Sequence, residues 1–145
     1  MEVYTIGFTE KTAEEFFETL KRVGIKRLID VRLNNTSQLA GFAKRDNLRY
    51  FLGEICGAEY VHEPLLAPTE EILDGYKKKT ITWEEYEEQF LALLAERRAE
   101  EVVTRDQLDG PTVLLCSEAH PERCHRRLVA EYLQERWEDV TVTHL

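Results

Sequence analysis

Short apolar runs alternate with amphipathic segments along this chain, which is the pattern of a parallel α/β fold. The runs predict strands over residues 3–6, 28–31, 58–62, 112–116 and 140–143. The segments between them carry apolar residues at helical spacing, so they predict helices beside the strands. We therefore expect a three-layer α/β fold, with a mostly parallel sheet of about five strands and helices on both faces.

Several residues mark where these helices begin. Thr12 and Thr82 each stand three residues before a glutamate, which is the form of a capping box. Pro121 predicts the first turn of the last helix, which we expect over 121–137. That start would point free backbone N–H groups at Cys116, the last residue of the preceding strand.

Composition favours one domain. With 145 residues, of which 43% are apolar and 32% charged, the chain is expected to form a single α/β domain over 1–145. No apolar run approaches the roughly 20 residues that span a bilayer, and the first residues lack a signal-like stretch. We expect a cytoplasmic protein without membrane contact, and the oligomeric state stays open. Three cysteines favour reduced thiols over a disulfide framework.

The charge balance points to a small ligand. A net charge of −9 disfavours sequence-independent binding to nucleic acid, because most of the surface would repel phosphate. Local positive charge is still present at Arg32, Arg45 and Arg49 and in the three arginines that follow Pro121. These arginines could form a small basic pocket, so we expect a compact anion as the partner.

The densest group of reactive side chains follows the fourth predicted strand. Cys116 ends that strand, and Glu118, Cys124, His125 and Arg126 follow within ten residues. Helix N–H groups, histidine and arginine can all lower a thiol pKa, so Cys116 is the candidate nucleophile; the alternative is a buried, inert thiol. Glu118 or His125 would handle the proton, or would simply cap the helix or face water. Cys124 is a resolving thiol, a metal ligand or a packing residue.

Polar or small residues also stand at the ends of four predicted strands. Gly7, Arg32, His62 and Cys116 each fall at or just beyond the carboxyl end of a different strand. Ligands bind at that edge of open α/β sheets, although strand ends attract polar residues in any protein. The residues expected to contact a ligand are Gly7, Arg32, His62, Cys124 and Arg126.

Arg32 has two interpretations. It lies two residues after Asp30, so on a strand the two side chains share a face and could form an ion pair. The planar guanidinium also matches phosphate or carboxylate oxygens, which makes Arg32 a candidate anion ligand. Thr36, Ser37 and Phe42 follow in the next loop, where they either contact a ligand or form turns.

A metal site is the alternative use of the thiols. Cys116, Cys124, His125 and His62 are residue types that bind zinc. Seven residues separate the two cysteines, which is not the short spacing of most zinc sites. We therefore expect no cofactor and keep zinc as the alternative.

Four segments of the chain, 5–9, 28–37, 60–65 and 116–126, resemble the family known as domain of unknown function 488. The most specific part is the C-x-E-x₅-C-H-R pattern that begins at Cys116. The family commonly has histidine and serine where Phe8 and Thr9 stand here. Members are small α/β proteins without an established activity, so the resemblance implies a site without naming a reaction.

A second resemblance is to the loops of rhodaneses and cysteine phosphatases. In both, an apolar strand ends in a nucleophilic cysteine whose loop runs into a helix and an arginine. Six residues separate Cys116 from Arg123, whereas those families have five, so the likeness extends to the chemistry and not to homology.

The sequence thus favours an enzyme that binds a phosphate-like anion beside Cys116, such as a nucleotide or a nucleic-acid end. Phosphoryl or sulfur transfer is the chemistry that such a site suits best. Two alternatives remain open. One is a non-catalytic module that binds an anion or senses redox state through its thiols, and the other is a zinc-dependent hydrolase.

Overall fold

The computed structural model describes residues 1–36 and 40–145, so Ser37 lies outside the described residues. The strands in the described part are β1 (Glu2–Gly7), β2 (Arg27–Asp30), β3 (Glu59–His62), β4 (Thr112–Cys116) and β5 (Thr141–His144). They form one sheet in the order β3-β2-β4-β1-β5, and all neighbouring strands are parallel. The predicted five-stranded parallel sheet is confirmed.

Helices connect these strands. The α-helices within 1–36 and 40–145 are α1 (Ala13–Val23), α2 (Arg45–Phe51), α3 (Glu70–Lys77), α4 (Trp83–Arg97), α5 (Ala99–Val102) and α6 (His125–Arg136). A π-helical turn, Leu52–Cys56, extends α2. None of the helices described is both long and apolar enough to cross a membrane.

The central strand shows how the two faces of the sheet are covered. Every residue of β4 is buried, and successive side chains point to opposite faces. Val113 and Leu115 pack in the apolar core under α1 and α2. Leu114 and Cys116 pack in a second core, under α4, α5 and α6. The predicted three-layer architecture is therefore confirmed, and Cys116 lies on the α6 side of the sheet.

The predicted caps are present at two helix starts. The hydroxyl of Thr82 accepts a hydrogen bond from the backbone N–H of Glu85, and the Glu85 carboxylate accepts one in return from the Thr82 N–H. Thr12 accepts from the N–H of Glu15 in the same way. The Glu15 carboxylate, however, accepts from the Thr12 hydroxyl and not from its N–H, so this box is half formed.

The prediction that Pro121 opens the last helix is wrong. Helix α6 begins at His125, and Cys124 is its N-cap with extended backbone, φ −133° and ψ 138°. The N–H of Cys124 donates to the Pro121 carbonyl at 3.2 Å, which closes a separate turn before the helix. Because this turn uses Pro121, the loop after β4 is longer than predicted and wraps around the end of the strand.

Candidate active site

The site is built where β4 ends and α6 begins. Cys116 is the last residue of β4, and His125 is the first residue of α6. The Sγ atom of Cys116 lies 3.4 Å from Nδ1 of His125. The Cys124 thiol and the backbone amides of Ser117 and Glu118 also hydrogen-bond to that sulfur. The structure therefore brings Cys116, Cys124 and His125 together at the predicted place.

The surroundings of Cys116 favour a thiolate. Burial by itself raises the pKa of the Cys116 thiol. Hydrogen bonds from Cys124 and from the Ser117 and Glu118 amides, together with the charge of Arg126, outweigh burial, so the pKa falls below its ordinary value. Burial and the neighbouring Cys116 raise the pKa of Cys124. Of the two thiols, Cys116 is therefore the one that ionises more readily.

A backbone carbonyl fixes the orientation of His125. The ring is buried, and its Nε2 lies 2.6 Å from the carbonyl oxygen of Val31. A carbonyl only accepts hydrogen bonds, so Nε2 must carry the proton. Nδ1 therefore faces Cys116 either as an acceptor from the thiol or, in the imidazolium, as a donor to the thiolate. Both states belong to an activated cysteine–histidine pair.

Arg126 holds the loop that surrounds Cys116. Its side chain is 0% exposed, and its Nε donates to the Thr5 hydroxyl at 3.2 Å. Nη1 donates to the carbonyl of Glu118, and Nη2 donates to that of Ala119 at 3.4 Å. All three nitrogens thus bond to the chain itself. The buried cation is also the charge that favours a thiolate at Cys116.

Gly7 lies under the same loop. It pairs with Cys116 in the register of β1 and β4. A Cβ atom on Gly7 would stand 1.6 Å from the carbonyl oxygen of Glu118 and 2.9 Å from Nη1 of Arg126. Only glycine therefore allows the loop to pack so closely on β1. In this structure Gly7 contacts the loop, and its predicted contact with a ligand stays a prediction.

Glu118 takes part in the site mainly through its backbone. Its amide faces the Cys116 sulfur and its carbonyl accepts from Arg126, whereas its side chain is exposed. Glu118 is one of the residues that line an open depression of about 320 Å³, together with residues 9–10, 119–120 and 122–123. A ligand in that depression would lie against the outer side of the loop.

Arg32 and His62 lie apart from the thiols. Arg32 forms the predicted ion pair with Asp30, with 2.7 Å between Nη2 and Oδ2. Its guanidinium stacks on Phe8, which belongs to the core under α1 and α2. His62 Nε2 lies 2.8 Å from the Arg32 carbonyl oxygen. The Arg32 guanidinium therefore packs on the α1 and α2 side of the sheet, whereas Cys116 packs on the α6 side; both residues lie at the carboxyl ends of neighbouring strands.

The four predicted zinc ligands do not all meet. Among the described residues, the ligand atoms of Cys116, Cys124 and His125 lie within 4.8 Å of one another, and His62 is not part of this group. Strand β2 separates β3, which carries His62, from β4, which carries Cys116. The cluster that could hold a metal therefore has three members.

A family model matches most of the chain. The model described as "Domain of unknown function DUF488" matches residues 12–133, which is most of the chain. The chain belongs to the DUF488 family. No curated protein and no solved structure gives a significant match. The C-x-E-x₅-C-H-R pattern, from Cys116 to Arg126, contains the three residues that form the cluster at the end of β4.

Two polar residues of this DUF488 protein, Thr5 and Tyr60, make contacts that the sequence did not predict. Thr5 lies in β1 with no exposed surface, and its hydroxyl contacts both Arg126 and Nδ1 of His144. The Tyr60 hydroxyl donates to Asp30 at 2.6 Å. The sequence feature that could have indicated Thr5 is its polar side chain inside an otherwise apolar predicted strand. The corresponding feature for Tyr60 is its place in β3, the strand that follows the one ending at Asp30.

Proposed function

We propose that this DUF488 protein is a cysteine-dependent enzyme that binds a small anion beside Cys116 and transfers a phosphoryl or sulfur group. The observation that supports the proposal is the distance of 3.4 Å between the Cys116 sulfur and Nδ1 of His125. The Val31 carbonyl orients the other ring nitrogen. A nucleophile, a base and a group that orients the base are the parts that nucleophilic catalysis needs.

The proposed reaction begins with transfer of the Cys116 proton to Nδ1 of His125. The thiolate then attacks phosphorus or a sulfane sulfur, and the new bond to sulfur forms as the bond to the leaving group breaks. His125 returns the proton to the leaving group. The amides of Ser117 and Glu118 stabilise the negative charge that develops. An acceptor then removes the group from Cys116: water takes a phosphoryl group, or a thiol takes the outer sulfur. His125, neutral again after protonating the leaving group, takes the proton of the acceptor, and Cys116 leaves as the thiolate.

The substrate expected here carries a phosphate-like anion, as a nucleotide or a nucleic-acid end does. The expectation of a compact anion follows from the net charge of −9, which disfavours a long duplex. The amides around Cys116 offer donors for one anionic group, and a larger polyanion would meet the exposed Glu118 and Glu122 at the depression.

We expect iodoacetamide at pH 7 to alkylate Cys116 before Cys56. Burial raises the pKa of the Cys56 thiol, whereas the loop lowers the pKa of Cys116. The thiolate is the reactive form, so Cys116 should react first although Cys56 is the more exposed of the two. Limiting reagent followed by peptide mass spectrometry measures the order.

The matched control is Cys56→Ser, which should leave the rate at Cys116 unchanged. His125→Asn should slow it, because asparagine cannot take the proton. Labelling of Cys56 alone, with Cys116 unmodified in the folded protein, would contradict a nucleophilic Cys116.

The contact between the two thiols favours a redox module as the second candidate. A thiolate at Cys116 beside a thiol at Cys124 is the pair from which a reversible disulfide forms. Peroxide treatment would then remove two hydrogens from the protein, and dithiothreitol would restore them. This behaviour, without turnover of any phosphorylated or sulfane substrate, would favour a sensor over an enzyme.

The three-membered cluster supports zinc as a further alternative. Cys116, Cys124 and His125 could bind a zinc ion and leave one position for water, as in catalytic zinc sites. The bond from His125 to the Val31 carbonyl is typical of a zinc-binding histidine. The charge of Arg126 beside the sulfur opposes a second cation. Elemental analysis of protein purified without added metal separates this hydrolase from the cysteine enzyme.

A further inference from the structure

The carboxylate of Asp30 is saturated with hydrogen bonds. Its Oδ1 accepts from the Arg32 backbone N–H at 3.1 Å and from Arg32 Nε at 2.8 Å. Its Oδ2 accepts from Arg32 Nη2 at 2.7 Å, from the Tyr60 hydroxyl at 2.6 Å and from Asn35 Nδ2 at 3.4 Å. Three residues and five donors therefore converge on one carboxylate, which fixes both the position and the plane of the Arg32 guanidinium.

One nitrogen of that guanidinium makes no hydrogen bond to any described residue. Arg32 is 2% exposed, and its Nη1 is buried without a hydrogen-bond partner in the part of the chain that the structure describes. Buried donors are nearly always satisfied, and leaving one unsatisfied opposes folding. Arg126 offers the contrast, because each of its three nitrogens donates to the chain. Of these two buried arginines, only Arg32 has a nitrogen without a hydrogen-bond partner among the described residues.

The surroundings of Arg32 restrict what that partner can be. The Phe8 ring lies 5.3 Å from the guanidinium carbon and covers one face of the group. Asp30 occupies the opposite edge of the group, through Nε and Nη2. An occupant of this place must therefore be a small hydrogen-bond acceptor that meets the guanidinium at its Nη1 edge. Oxygens of phosphate and carboxylate groups match that edge, because the donors of arginine lie in one plane.

We propose that Arg32 Nη1 is a binding subsite for an oxygen of the substrate's acidic group, a phosphate or a carboxylate. The inference rests on the proposed function, since it identifies a second contact for the same anionic substrate. The position agrees with that role. The N–H of Val31 donates to the Leu115 carbonyl at 3.1 Å, so Arg32 follows β2 directly beside the end of β4. Thr9, which follows Phe8, bonds to the carbonyl of Ser117 in the loop around Cys116.

The test measures anion binding by calorimetry with inorganic phosphate in one arm and malonate in the other, at constant ionic strength in chloride. Arg32→Lys keeps the charge but loses the planar fork. We expect it to bind one of the two anions, the one that matches the acidic group of the substrate, at least about tenfold more weakly than the unchanged protein does. The matched control is Arg105→Lys. Arg105 makes an equivalent two-bond pair with Asp139 on the surface, and its replacement should not change binding.

A measurement on the unchanged protein keeps the test decisive if Arg32→Lys does not fold. The guanidinium signals of Arg32 can be assigned in the NMR spectrum through their contacts with the Phe8 ring. Phosphate or malonate should shift these signals in a saturable manner. Equal affinity in Arg32→Lys, or signals that neither anion moves, would mean that only water meets Nη1 and would overturn the subsite. The alkylation rate of Cys116 tests the proposed function separately, because Arg32 does not contact that sulfur.

Discussion

Replacing Gly7 with alanine is expected to destabilise the protein by about 3 kcal/mol or more. The new Cβ would stand 1.6 Å from the carbonyl oxygen of Glu118, a distance at which one of the two backbones must move. Movement is costly on both sides, because β1 is hydrogen-bonded to β4 and β5, and Arg126 holds the loop. Urea unfolding followed by circular dichroism measures the change in free energy.

Gly53→Ala is the matched control. Gly53 lies in the π-helical turn, and an added Cβ there would have no heavy atom within 4 Å. Alanine is the better helix former, so this variant should match or slightly exceed the stability of the unchanged protein. A Gly7→Ala protein with unchanged stability and unchanged alkylation of Cys116 would show that the loop does not pack on β1 as described.

Much of the fold could be predicted from the chain because its local signals agree with one another. The apolar run that ends at Cys116 predicted β4 to the residue, and Thr82 with Glu85 predicted the start of α4. The start of α6 could not be predicted in this way. Proline is favoured in a first helical turn and also in tight turns, and Pro121 takes the second option because Cys124 donates back to it.

The candidate site was only partly predictable. Spacing placed Cys116, Cys124 and His125 near one another, because a strand end and the next helix start are neighbours in such folds. Spacing predicted the ion pair of Asp30 with Arg32, but it did not show that the Arg32 guanidinium would pack on the α1 and α2 side of the sheet, away from the thiols. It also did not show that the Arg126 guanidinium would donate to carbonyls of the loop. Those outcomes depend on the path of the loop, which backbone contacts decide.

Arg126→Met is expected to slow the alkylation of Cys116 at pH 7. The charge of Arg126 is one of the features that lower the pKa of the Cys116 thiol, so its loss should raise that pKa. Each unit of increase reduces the thiolate fraction about tenfold while the pH stays below the pKa. The measurement is the rate of iodoacetamide labelling of Cys116 from pH 5 to 10, with urea unfolding to confirm that the variant is folded.

The pH profile separates an electrostatic role of Arg126 from a purely structural one. If the guanidinium acts through the pKa of Cys116, the midpoint of the plot of labelling rate against pH moves to higher pH. The rates of the variant and the unchanged protein then converge once Cys116 is ionised in both. Arg123→Met removes an exposed charge from the same loop and should leave the midpoint nearly unchanged. A deficit in Arg126→Met that stays the same at pH 10 would instead mean that Arg126 only holds the loop. The thiolate would then owe its stability to Cys124 and to the amides of Ser117 and Glu118.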